Sequence, residues 1–67
     1  MAILKVIEIL ASSGKSWEDA TEKGIMKASK SIKHIKSAFV QSQSVTVGPD
    51  GKVLEYRVNL KLSFEVE

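Results

Sequence analysis

The stretch Val53–Glu67, with the sequence VLEYRVNLKLSFEVE, alternates apolar and polar residues over almost its whole length. Its even positions are all apolar: Leu54, Tyr56, Val58, Leu60, Leu62, Phe64 and Val66. Because successive side chains of a strand point to opposite faces, this period of two predicts one β-strand with an apolar face and a polar face. At about 3.3 Å per residue the strand would span on the order of 45 Å, which is more than one small chain covers.

Length and composition predict one small domain, 1–67, that depends on association. The chain has 67 residues and no cysteine, which excludes disulfide bonds and thiolate metal sites. Domains of this size bury only about 60% of the surface of the unfolded chain and are marginally stable alone. A net charge of +2 is weak evidence for nucleic acid, which calls for a clustered basic face. No apolar run reaches about 18 residues, so we expect a soluble, cytoplasmic protein without a membrane partner.

The first half of the chain predicts a strand followed by a helix. Ala2–Leu10 is apolar on both faces and predicts a strand that meets protein on both sides, and Ala11–Lys15 has the composition of a loop. Ser16 fits a helix N-cap, with Asp19 three residues later. The helix ends near residues 31–33, and its apolar stripe contains Trp17, Ala20, Gly24, Ile25, Ala28 and Ile32. Glycine inside this stripe indicates close packing on a sheet.

The second half predicts a long hairpin. A second strand begins at Lys33 or His34 and runs to about Val47, with Ile35, Phe39, Val45 and Val47 on the same face as Ser37. The turn Gly48–Gly51 joins it to the last strand. The order is therefore β-α-β-β, in the α+β class. We expect a three-stranded antiparallel sheet packed on one helix, with the last strand in the middle and its polar face bare in the monomer.

No constellation in the sequence points to catalysis. His34 is the only histidine, and we expect it to be a surface or capping residue rather than a metal ligand. No serine has the sequence context of a Ser-His-Asp triad, and the carboxylates are scattered, so we expect no enzymatic activity. Glu65 and Glu67 share one face of the last strand and could bind a cation at a subunit junction, although a solvated terminus is the favoured interpretation.

Two single residues allow both a structural and a binding interpretation. Trp17 lies in the helical stripe and is expected in the core or an interface, with stacking on a ligand as the alternative. Arg57 is the only arginine and lies on the polar face of the last strand. A cross-strand or intersubunit salt bridge is the favoured interpretation, and binding of an anionic or planar ligand is the alternative.

Over essentially its entire length the chain resembles the dodecin family. The resemblance rests on Leu4–Ile9, on Ser16–Ala20, and on Val53 onward through Glu55–Val58 to Ser63–Glu65, together with the order and lengths of the elements. It implies a β-α-β-β subunit of a hollow homododecamer. It also implies a non-catalytic protein that stores or buffers flavin, either riboflavin or flavin mononucleotide (FMN).

The resemblance also implies where a flavin would bind. Flavin-binding dodecins stack a tryptophan early in the second strand on the ring, and this position is Ser37 here. The position of their flavin-bonding glutamine is Arg57, and Phe39 lies two residues after Ser37. Ser37, Phe39 and Arg57 are therefore the expected flavin-pocket positions. The alternative is a dodecin-like shell without flavin that sequesters cations or another anionic ligand, using carboxylates and Arg57 at its axes.

Overall fold

The computed structural model of the protein describes residues 3–66. The elements are β1 (Ile3–Ser13), α1 (Trp17–Ala28), β2 (Ile35–Val47) and β3 (Val53–Val66). The strand β3 lies between β1 and β2 and is antiparallel to both. The predicted β-α-β-β order, the α+β class and the central position of the last strand are confirmed. The expected first and last strand residues, Ala2 and Glu67, lie outside the described residues.

The core lies between α1 and the apolar face of β3. Val58, Leu60 and Leu62 of β3 are completely buried together with Ala20 of α1. Eight partly buried residues surround them: Ile7, Ile9, Ala11, Trp17, Ile25, Ala28, Ile35 and Ala38. The same face of β3 is exposed near its ends, at Leu54 and Val66, because α1 covers only the middle of the strand. The predicted apolar face is therefore confirmed, and one chain does leave part of it uncovered.

The strand β1 is longer than the sequence predicted. It continues to Ser13 instead of ending at Leu10, so the segment Ala11–Lys15 is not entirely a loop. The reason is the length of β3, which offers Val58 and Tyr56 as antiparallel partners to Ala11 and Ser13. Pairing with a neighbouring strand thus overrides the local turn composition.

The helix α1 is shorter than predicted and packs very closely on β1. It ends at Ala28 rather than near residues 31–33, and the chain then turns into β2. His34 in this turn is exposed, as predicted, and has a φ of 64°, in the left-handed region. Gly24 lies against β1 so closely that a Cβ atom there would be 2.8 Å from the Cβ of Ala11. The predicted close packing of the helix at this glycine is confirmed.

Irregular pairing of β2 with β3 corrects the face assignment of the second strand. The register shifts at three places: Ile35/Ser37, Val40/Ser42 and Thr46/Val47. An extra residue in one strand reverses the face of the side chains that follow it. Ile35 and Val45 therefore lie on the helix side, opposite Phe64 and Tyr56, whereas Phe39 lies on the other face. The prediction that these three apolar residues share one face is wrong.

Candidate functional site

The face of the sheet opposite α1, which we call the open face, is uncovered in one chain. Its side chains follow from the strand register and come from all three strands: Leu4, Val6, Glu8, Leu10 and Ser12 of β1; Glu55, Arg57, Asn59, Lys61, Ser63 and Glu65 of β3; Ser37, Phe39, Ser42, Ser44 and Thr46 of β2. Large apolar residues lie at its two edges, where Val6 is 61% exposed and Phe39 is 65% exposed. Exposed apolar residues in a row along one strand, here Leu4, Val6 and Leu10 of β1, are typical of a binding or assembly surface.

Ser37 and Phe39 lie next to each other on the open face. The register shift at the start of β2 turns both side chains away from the helix. The Ser37 hydroxyl forms a hydrogen bond with the hydroxyl of Ser63 across the strand pair. Phe39 is opposite Lys61, and its ring is the exposed aromatic group of this face. This part of the face therefore presents an apolar ring beside hydroxyl groups and an ammonium group.

Arg57 lies further along β3, between Ser12 of β1 and Ser44 of β2. Its Nη2 atom is 3.5 Å from Oε1 of Glu55, and both side chains are 44% exposed. Within the described chain the partner of Arg57 therefore comes from the same strand and not from a neighbouring one, and the intersubunit salt bridge stays a prediction. A surface pair of this kind contributes between about 0 and 1 kcal/mol to stability. The guanidinium group thus keeps donors that can reach another anion.

The three predicted flavin-pocket residues share the open face but do not converge in one chain. Phe39 is opposite Lys61, which is four positions from Arg57 along β3 and so about 13 Å away. Ser37 is opposite Ser63, which is about 20 Å from Arg57 by the same reasoning. A ligand that contacts both groups must either be elongated or lie where Arg57 of a second copy approaches.

The acidic residues of the open face are separated from one another. Oε2 of Glu8 accepts a hydrogen bond of 3.3 Å from Nδ2 of Asn59, and Glu55 pairs with Arg57. Within residues 3–66 no group of three or more histidine, cysteine or acidic side chains could hold a metal ion. Of the two carboxylates predicted as a junctional cation site, Glu65 is opposite Leu4 and Glu67 lies outside the described residues.

Trp17 connects the helix to the strand that borders the open face. Its indole Nε1 donates a hydrogen bond of 3.0 Å to the carbonyl oxygen of Ser44. Its ring meets Tyr56 edge-on, with the ring centroids 5.2 Å apart. The core interpretation of Trp17 is confirmed by these contacts on the helix side. Sequence reasoning missed the role of Ser44, since a backbone acceptor has no sequence signature.

Ser13 and Asp19 form a network at the start of α1 that the sequence analysis also missed. The buried Ser13 hydroxyl donates a hydrogen bond of 2.5 Å to Oδ2 of Asp19 and accepts one from the amide of Lys15. Nζ of Lys23 lies 3.1 Å from the same carboxylate oxygen. The Ser13 hydroxyl, and after it Lys23, lower the pKa of Asp19. Ser16 caps the helix as predicted, because its Oγ accepts from the Asp19 amide.

The family model for Dodecin matches residues 3–67. The chain belongs to the dodecin family. Dodecins form oligomers and bind small ligands, and they are not known as enzymes. Within residues 3–66 no helix is long and apolar enough to cross a lipid bilayer.

Solved and curated dodecins give the same fold over the whole chain. The calcium dodecin of Mycobacterium tuberculosis is 36% identical over 66 residues, which is 98% of this chain and 92% of that protein. Its crystal structure, described as a calcium-chelating antigen with a novel calcium-binding site, superposes with a TM-score of 0.85 at 35% identity, over 97% of this chain and 91% of that one. A mutant of the Thermus thermophilus dodecin gives a TM-score of 0.91 at 28% identity, over 100% and 98% of the two chains. The similar proteins therefore include one dodecin named for calcium and one whose name mentions no ligand.

Proposed function

We propose that this chain is the subunit of a hollow homododecamer that stores or buffers a flavin, FMN or riboflavin, without catalysing a reaction. The observation that carries the proposal is the exposed ring of Phe39 on an uncovered sheet face, beside Ser37 and with Arg57 on the same face. The work would take place in the cytoplasm.

The uncovered apolar surface supports the assembly. Within residues 3–66 only four hydrophobic residues are buried, whereas Ile3, Val47 and Leu54 near the strand ends are more than half exposed. The chain is also elongated, with extents of 52 × 19 × 14 Å, so the ends of its long hairpin extend beyond the helix. Burying apolar surface at about 25 cal/mol per Å² would make association favourable. Neighbouring copies are therefore the natural cover for the strand ends.

The chemistry of the open face supports a planar ligand with an anionic tail. Stacking on the Phe39 ring is worth about 0.5–1.5 kcal/mol beyond the area that it buries. Arg57 can donate two parallel hydrogen bonds to a phosphate, because its ion pair with Glu55 is exposed and weak. The ring contact is available to both flavins, whereas the Arg57 contact favours FMN over riboflavin because FMN alone carries a phosphate. The serine at position 37 provides hydroxyl contacts instead of a second stacking ring.

A second candidate function is calcium sequestration, favoured by the similarity to the calcium dodecin of Mycobacterium tuberculosis. Calcium takes about six to eight oxygen ligands, and one chain does not bring three carboxylates together within residues 3–66. Glu8, Glu55 and Glu65 nevertheless all belong to the open face. A calcium site would therefore have to combine carboxylates from two or more copies.

A flavin titration tests the first function. Increasing amounts of the purified protein are added to FMN and to riboflavin, and the flavin fluorescence is recorded. We expect quenching that saturates, with tighter binding of FMN, and about fivefold weaker binding by Phe39→Ala because a ring contact is lost. Val47→Ala is the matched control, since Val47 is also exposed and apolar but lies near the hairpin turn. Unquenched flavin at every protein concentration would overturn the flavin proposal.

A calcium titration tests the second function separately. Calorimetry in calcium-free buffer measures the heat of Ca²⁺ binding to the wild type and to Glu8→Gln, with Glu18→Gln on the helix as the matched control. Saturable binding that only the open-face variant weakens, together with unquenched flavin, would support sequestration. Absence of Ca²⁺ binding would overturn it.

A further inference from the structure

A groove of about 340 Å³ runs along the outer edge of β1, on the border between the strand and α1. Four consecutive strand residues and four helix residues line it: Ile9, Leu10, Ala11, Ser12, Lys23, Gly24, Lys27 and Ala28. Consecutive strand residues point to opposite faces of the sheet. A groove that all four of these strand residues line must therefore lie at the edge of the strand. Within the described residues β1 pairs only with β3, and its outer edge therefore offers backbone N–H and C=O groups.

The helix follows this edge because of two contacts with β1. Asp19 near the start of α1 meets Ser13 near the end of β1, and Gly24 in the middle meets Ala11. The helix thus runs back along the strand, in the opposite direction. The absence of a side chain at Gly24 lets the helix lie close enough to form one wall of the groove.

The helix wall of the groove is basic. Lys23 and Lys27 line it, and none of the described residues that line it is acidic. Lys23 is also 3.1 Å from Asp19, whereas its own side chain remains 63% exposed. Residues four positions apart on a helix are separated by about 6 Å along its axis. Alternate residues of an extended strand are separated by about 6.6 Å, so two acidic residues at that spacing match the two lysines.

The other side of the same edge is apolar. Leu10 belongs to the open face and is 60% exposed, and Val6 follows it on the same face. A strand paired with β1 would place one set of alternating side chains beside the lysines and the other set beside these apolar residues. The edge therefore matches a segment in which acidic and apolar residues alternate.

We propose that this edge groove binds an extended acidic peptide segment of a partner protein by strand addition to β1. Backbone hydrogen bonds to residues 9–12 would provide affinity, and Lys27 and Lys23 would select acidic side chains at alternate positions. The groove lies at the border of α1 and not on the middle of the open face. The proposal is therefore independent of the flavin and calcium proposals.

The test uses a peptide of eight residues in which valine and glutamate alternate, blocked at both ends and labelled with fluorescein. Fluorescence anisotropy at low ionic strength measures its binding to the intact protein. We expect saturable binding that weakens as salt is added, because exposed charges are screened. The matching valine–lysine peptide, and the valine–glutamate peptide N-methylated at every residue, should both fail to bind. Equal binding of the methylated peptide would overturn strand addition.

Variants identify the groove as the place of binding. Lys27→Glu should weaken binding about tenfold or more, since it brings a like charge to the peptide. Lys52→Glu, in the hairpin turn far from the groove, is the control and should bind as the wild type does. Both variants must keep the wild-type circular dichroism spectrum and native mass. Equal weakening of peptide binding by both variants would overturn the proposal. A change of native mass in Lys27→Glu alone would also overturn it, because the groove would then be a contact between subunits.

Discussion

The indole N–H of Trp17 donates a 3.0 Å hydrogen bond to the carbonyl of Ser44, which lies in register opposite Arg57. One contact therefore connects the start of the helix with the part of β2 that borders Arg57 of the open face. Trp17 and Tyr56 meet edge-on on the helix side of the same region. The helix thus supports the open face although it touches only the opposite side of the sheet.

Replacing Trp17 by phenylalanine should lower the free energy of unfolding by about 1 kcal/mol, because the donor to Ser44 is lost while an aromatic ring remains. Urea unfolding followed by circular dichroism measures this change. Tyr56→Phe is the control, since it keeps the edge-on ring contact and should have a smaller effect. A Trp17→Phe variant as stable as the wild type would show that the hydrogen bond does not hold β2.

Gly24→Ala should destabilise the protein by up to about 2 kcal/mol. The new Cβ would be 2.8 Å from that of Ala11, and overpacking costs about 1–3 kcal/mol. That cost exceeds the gain of about 1 kcal/mol in helix propensity. Thermal and urea unfolding measure the net effect. Gly14→Ala is the control, because nothing lies within 4 Å of its new Cβ. Greater stability of Gly24→Ala would contradict the close helix packing.

Asp19→Asn should destabilise the protein at neutral pH, and this difference should disappear in acid. The Ser13 hydroxyl and then Lys23 lower the pKa of Asp19 from its usual value of 3.8. The carboxylate therefore contributes stability above about pH 4, and the contribution is lost as the pH falls through the lowered pKa. Urea midpoints measured from pH 7 down to pH 3 follow the loss. Glu18→Gln removes a neighbouring charge outside the network and is the control. A difference that stays constant down to pH 3 would argue against the network.

Ser37→Trp should strengthen flavin binding by about fivefold or more, because it adds a stacking ring next to Phe39. Quenching of FMN fluorescence measures the change. Ser31→Trp, in the exposed turn after α1, adds the same ring away from the open face and should leave binding unchanged. Equal binding by Ser37→Trp and the wild type would place the flavin elsewhere.

The sequence predicts the fold best where one period extends over many residues. The alternation in β3 identifies the buried residues Val58, Leu60 and Leu62, and Ser16 identifies the start of the helix. The pattern of β2 does not predict which face each side chain lies on, because extra residues reverse the faces of the side chains that follow them. The polar residues in the middle of β2 give no sign of where such a register shift occurs. Strand pairing, not local composition, extends β1 to Ser13.

The candidate site was predicted only in part. Ser37, Phe39 and Arg57 were expected from the family resemblance, and the structure places all three on the open face. Their separation along β3 depends on the register, which a sequence does not contain. The Ser13–Asp19 contact joins residues six positions apart across a strand end and a helix start, so it too depends on how the elements pack.

Native mass spectrometry with added FMN reports the number of copies and the bound ligand together, so one measurement checks both the homododecamer and its storage of flavin. We expect a species of about 89 kDa, twelve copies of the 7.4 kDa chain, with added mass in multiples of FMN. A chain that remains at 7.4 kDa, or a twelve-copy species that takes up no FMN, would contradict this expectation.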